Sequence, residues 1–295
     1  MKLKHKLNSK KLKKDIEKLY SKSLFIEDPI FINYLDSIKS IVGMNLDSIN
    51  WSLIKLFEKQ IENKNHKITE IEHKEKIPEA ISIFSLERSL NEGNKQKAIE
   101  SVFYLSRVSD GMQILEFLLE FSLKNCANSH KYIWHIIRMQ KFLNGKCILE
   151  SLNKIIDIIF ADKRIKLKSN KEVKVEWLSI LSKEYKSIDD ILFYYTVYNS
   201  DLIRGIEIKK LVSCRLVEIL ESSQLPSDNS INIYDEQIML GRMWIANNIR
   251  KIDHCKLSLE TIRFFDLVRS CLMLSNNDKE NKLIWSYLNN NYAVK

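Results

Sequence analysis

GMQILEFLLEFSLKN (residues 111–125), followed after three residues by SHKYIWHIIRMQKFL (residues 129–143), decides the fold. Apolar side chains recur at spacings of three and four in both stretches, the periodicity of helices that bury one face. The first is apolar nearly all round. Its Gln113, Glu116, Glu120 and Lys124 fall in one stripe about 80° wide at about 100° per residue. The second carries Lys131, His135 and Arg138 within a similar arc. A short join makes the pair antiparallel neighbours, with Glu120 level with position 133 and Glu116 level with position 137. The acidic stripe can therefore face the basic one. This predicts a polar seam and ligand pocket of Glu116, Glu120, Lys131, His135 and Arg138, with His135 as a candidate acid or base. The alternative is two wet stripes making surface ion pairs, each worth about 0–1 kcal/mol.

The same periodicity runs through almost the whole chain. It predicts helices near 10–26, 29–42, 48–64, 79–92, 95–108, 111–125, 129–143, 147–160, 174–185, 188–199, 201–222, 234–251, 258–274 and 279–290. Start signals agree at Asp28-Pro29, Ser109-Asp110, Asn128-Ser129, Ser187 and Ser200-Asp201, and stop signals at Gly43, Gly93 and Gly145. The expected fold is all-α, an irregular solenoid-like stack or multi-helix bundle of 13–14 helices. Only 6 Gly and 3 Pro occur in 295 residues, against usual shares of about 7% and 5%, so material for tight βα turns is scarce. With 45% apolar and 29% charged residues, a chain of this length buries roughly 75% of its unfolded surface. No fixed repeat is found: the Trp residues at 134, 177, 244 and 285 are unevenly spaced.

One interruption breaks the helical pattern. Residues 164–168 and 173–177 alternate apolar and charged with period two, which reads as a short β-hairpin near 164–177 or as a loop entering the next helix. The expected organisation is a basic N-terminal arm (1–27), a helical half (28–162), a basic hairpin or loop (163–176) and a second helical half (177–295), the two halves forming one domain or two.

The net charge of +9 is local. Residues 1–22 carry nine Lys against Asp15 and Glu17, so they contribute +7 and the remaining 273 residues +2. In that arm, Leu7, Leu12, Ile16 and Leu19 form an apolar stripe under a Lys-rich face, suited to an anionic membrane surface or to nucleic acid. A second basic cluster, Lys163, Arg164, Lys166, Lys168, Lys171 and Lys174, is a candidate anion or nucleic-acid contact. The start has a positive region but no apolar stretch after it, and no run reaches 18 apolar residues, so a cytoplasmic location is expected. Five Cys, at 126, 147, 214, 255 and 271, are too dispersed for a disulfide framework or a CxxC clip.

Other constellations are thin. Glu62, His66, Glu70 and His73 share helical spacing, yet the chain has a single ExxH where a di-iron site needs two. His254 beside Cys255 lacks a third group. Phe193, Tyr194, Tyr195 and Tyr198 read as core before they read as a stacking platform. Six of the ten arginines follow residue 200, where structural ion pairing is expected. GxGxxG, GxxxxGK[ST], HExxH and GxSxG do not occur. No cofactor and no metal are expected. The sequence points to a non-catalytic helical adaptor that binds a protein partner, with an all-α enzyme or small-molecule binder, or a nucleic-acid accessory protein, as alternatives.

Overall fold

The computed structural model describes residues 2–62, 64, 82–168, 174–203, 205–252 and 257–292. Among them are fifteen helices and one two-stranded antiparallel sheet: α1 (Lys2–Leu24), α2 (Ile30–Val42), α3 (Trp51–Glu62), α4 (Ile83–Asn91), α5 (Lys95–Val108), α6 (Gly111–Asn125), α7 (Ser129–Leu143), α8 (Ile148–Ala161), α9 (Trp177–Leu181), β1 (Lys183–Tyr185), α10 (Ile188–Asn199), α11 (Ile206–Ser223), β2 (Gln224–Asp228), α12 (Asp235–Leu240), α13 (Met243–Lys251), α14 (Leu259–Leu274) and α15 (Asp278–Asn291). The chain is all-α with a small sheet.

The helix starts have local causes. Asp110 accepts from Met112 N, Asn94 from Lys97 N, Ser258 from Thr261 N and Asn277 from Lys279 N, each taking up a donor that a first turn leaves orphaned. Asp28 likewise accepts from Ile30 N at 3.0 Å. Two expected helices come out differently. The stretch 234–251 divides into α12 and α13 because Gly241 adopts φ +52°, a left-handed conformation open to a residue without Cβ. The stretch 174–185 is helical only over α9; its last residues become β1, paired as Lys183 with Asp228 and Tyr185 with Gln224.

The sheet therefore does not lie at 164–177. Arg164 forms a single antiparallel bridge with Cys126, Ile165 N donates to Asn125 O, and Leu167 N donates to Lys124 O. Carbonyls at the end of α6 have no helical partner, and this extended segment supplies donors to them. Residues 169–173 of the expected hairpin lie outside the described residues.

The chain divides into two compact units. The first comprises residues 9–36 and 58–167, the second residues 1–8, 37–57 and 168–295. In the first unit α5, α6, α7 and α8 pack on one another around Leu115, Leu118, Ile133, Ile137, Leu152 and Ile155, all shielded from solvent. Gly111 admits the close approach of α8: a Cβ there would stand 2.5 Å from Ile148 Cγ1. In the second unit α10 packs on α11 and α14, and α14 on α15, around Tyr194, Leu211, Phe264, Phe265, Ile284 and Leu288.

Candidate functional site

The two stripes of α6 and α7 do not form one seam. Glu120 takes Lys124, one turn along its own helix, at 2.6 Å. Glu116 and Lys131 are half-buried. His135 and Arg138 instead share a carboxylate from α2: Asp36 Oδ2 lies 2.8 Å from His135 Nδ1 and 3.0 Å from Arg138 Nε. Asp36 is 0% exposed. Taking this charge out of water is unfavourable unless cations and donors surround it, which His135 and Arg138 do. The cluster fastens α2 to α7. Its sequence signal is a lone carboxylate inside the apolar stretch Ile30–Val42.

The concavity of the first unit lies elsewhere. A cleft of about 890 Å³ opens between the end of α1 with the turn after it, the start of α5, the start of α7 and the length of α8. Leu24, Phe25, Ile99, Leu149, Ile158 and Phe160 supply its apolar wall. Its cations are already engaged. Lys95 Nζ pairs with Asp157 at 2.6 Å. Lys154, 7% exposed, donates from Nζ to the carbonyl oxygens of Ile26 (2.5 Å) and Glu27 (3.2 Å), tying α8 to the turn after α1. Asp162 Oδ2 accepts from Asn128 N (2.7 Å) and Ser129 N (2.6 Å). This carboxylate, and not the side chain of Asn128, caps α7. What stays uncommitted is of one kind. Glu27 and Glu150 are exposed and make no ion pair among the described residues. Asn153 Oδ1 is shut off from solvent and accepts no hydrogen bond among them.

The second unit has a surface of opposite character at residues 229–239. Asn229 donates to Leu181 O and Leu283 O, and Asn232 N donates to Ser286 Oγ at 2.9 Å. Gln237, wholly buried, exchanges side-chain amide hydrogen bonds with Asn289 at 2.8 Å in both directions, and its Oε1 also accepts from Tyr234 N. Asn229 and Gln237 face α15, while Asn232, Asp235 and Glu236 are exposed. Four apolar side chains also face water: Ile231 is 67% exposed, Tyr234 44%, Ile238 64% and Met239 76%.

The basic features divide as well. Leu12, Ile16 and Leu19 of α1 are buried, so from residue 12 onward this helix belongs to the core of the first unit and is no solvated arm. The stripe that would enter a membrane is covered, while Leu7 and the side chains of Lys6, Lys10, Lys11, Lys14 and Lys18 are exposed. In the second basic cluster Arg164 is engaged, donating to Leu90 O at 3.1 Å and lying 5.2 Å from the Phe121 ring centroid. Lys163, Lys166 and Lys168 are exposed, Lys174 pairs with Glu176 at 2.6 Å, and Lys171 lies outside the described residues. Arg215 pairs with Glu218, Arg263 with Glu260 and Asp189, and Arg269 with Asp266. Phe193, Tyr194 and Tyr195 are buried, with Tyr195 against Trp177 at 4.8 Å between centroids.

Burial pushes up the thiols of Cys126, Cys147, Cys214 and Cys271, with the Glu150 and Glu17 carboxylates adding to the effect at Cys147. Each is held in the protonated, weakly nucleophilic form. His66, Glu70, His73, His254 and Cys255 lie outside the described residues. Among the described residues no three His, Cys, Asp or Glu side chains gather as a metal ion would need, and no helix is long and apolar enough to cross a membrane. Compared with protein-family models, with curated proteins and with solved structures, the chain matches none.

Proposed function

We propose that this chain is a non-catalytic helical adaptor, and that residues 231–239 are where it meets a protein partner. The observation that carries this reading is the inversion along that segment. Gln237 and Asn229 are turned inward and hydrogen-bonded, while Ile231, Tyr234, Ile238 and Met239 are presented to solvent. Burying large apolar side chains lowers free energy by about 25 cal/mol per Å² removed from water, so exposing four of them together is unfavourable until something covers them. Isoleucine, tyrosine and methionine are suited to the core of a protein contact, and the surrounding polar residues to its rim. The amide ladder holds the backbone in place, so little ordering is left to oppose association.

The test is a photo-crosslinking residue at position 239 in the full chain, activated in its native lysate, with and without Ile238→Asp. One discrete adduct that disappears in the Asp variant is expected. No adduct, or adducts indifferent to Ile238→Asp, would overturn the reading.

A further inference from the structure

We propose that the cleft of the first unit binds a small organic ammonium ion, a protonated amine carrying a hydrocarbon body several carbons long. This goes beyond the protein contact above and uses none of its residues. The cleft's volume of about 890 Å³ is that of a small-molecule site, where drug-sized ligands occupy roughly 300–1,000 Å³.

The chemistry of the ligand follows from which groups are spoken for. Lys95 is neutralised by Asp157, and Lys154 is turned onto two backbone carbonyls. The helix terminus that would draw an anion, the start of α7, is already filled by Asp162. An anionic ligand would meet no uncommitted cation of this lining and would face Glu27 and Glu150. A cationic one finds those two exposed carboxylates in the lining and, under the wall, the unsatisfied acceptor Asn153 Oδ1, which it reaches once that side chain turns toward the cleft. A buried acceptor without a donor is destabilising by about 1–3 kcal/mol, and an ammonium N–H relieves that. The hydrocarbon body lies against Phe25, Leu149, Ile158 and Phe160, which a bare ammonium or metal ion would leave wet.

Calorimetric titration of the full chain with n-octylammonium, octanoate, 1-octanol and n-butylammonium tests this. The last has the reach of a lysine side chain and separates a free amphiphilic amine from a lysine presented on a peptide. Octylammonium is expected to bind at least about tenfold more tightly than each of the other three. Both Asn153→Leu and the double variant Glu27→Gln/Glu150→Gln should weaken it about fivefold or more. The double variant alters exposed positions only, so it keeps the test sharp if Asn153→Leu does not fold. Equal or tighter binding of any of the other three probes, no binding of octylammonium, or wild-type affinity in either folded variant would overturn the proposal.

Discussion

The cleft of the first unit and the 229–239 segment of the second are both held by buried polar groups, but by different kinds. In the first unit the fasteners are ionised: Lys154 on two carbonyls and Asp162 on two amides at the cleft, and Asp36 between His135 and Arg138 away from it. Along 229–239 they are neutral amides bonded to one another and to backbone. A buried charge must be surrounded on several sides, which draws donors from more than one element around it. An amide is satisfied by a ladder along one side, which leaves the other side of the segment free to be apolar. The difference teaches that the way a segment is anchored determines the kind of surface it offers, a cleft in one case and a patch in the other.

The sharpest way to break that comparison is to remove a fastener of each kind. Asp36→Ala leaves Arg138 and His135 without the carboxylate they share, and loss of one partner from a buried charge cluster is worth about 3–5 kcal/mol. Native-state hydrogen exchange should show that loss across α7, the helix that carries both His135 and Arg138. Gln237→Ala leaves Asn289 Oδ1 without its donor, while Asn289 Nδ2 still donates to Asn232 O, and should weaken protection in α12 and α15 by about 1–3 kcal/mol. Should Gln237→Ala prove costlier than Asp36→Ala, the distinction between ionised and neutral anchoring fails.

The reading of the sequence reached as far as interactions close along the chain. Helices expected at 95–108, 111–125, 129–143 and 188–199 coincide with α5, α6, α7 and α10, because periodicity and, at α5 and α6, the capping side chain lie within a few residues of one another. The strand pair was hidden for the opposite reason: Gln224-Leu-Pro-Ser-Asp228 has no alternation of its own and becomes a strand by meeting Lys183–Tyr185. The candidate seam failed in the same way. His135 and Arg138 do sit on one face with a carboxylate opposite, but that carboxylate is Asp36, separated from His135 by 99 positions, and not Glu116 or Glu120. The cleft itself was invisible, since α1, α5, α7 and α8 contribute to it from widely separated stretches. Two signals are present in the sequence: a lone Asp in α2 and a lone Lys in the apolar face of α8 each announce a buried charge that some distant group must answer.

The smallest effect on stability is expected at Asp162, and it bears most directly on what the cleft selects. Its backbone N donates to Ile158 O, closing α8, while its carboxylate accepts the amides that open α7, 33 and 34 positions earlier in the chain. Since Asn128 gives no side-chain cap of its own, Asp162→Ala uncaps α7 and should lower protection of its first turn by about 1 kcal/mol. The same change exposes two N–H groups at the positive end of a helix on the cleft wall. Asp162→Ala should therefore gain affinity for octanoate and lose affinity for octylammonium, both read by the same titration. If the cleft's preference is set by which groups are already occupied, removing one occupant reverses it; a variant that loses the cap yet keeps the wild-type preference shows that Glu27, Glu150 and Asn153 set it alone.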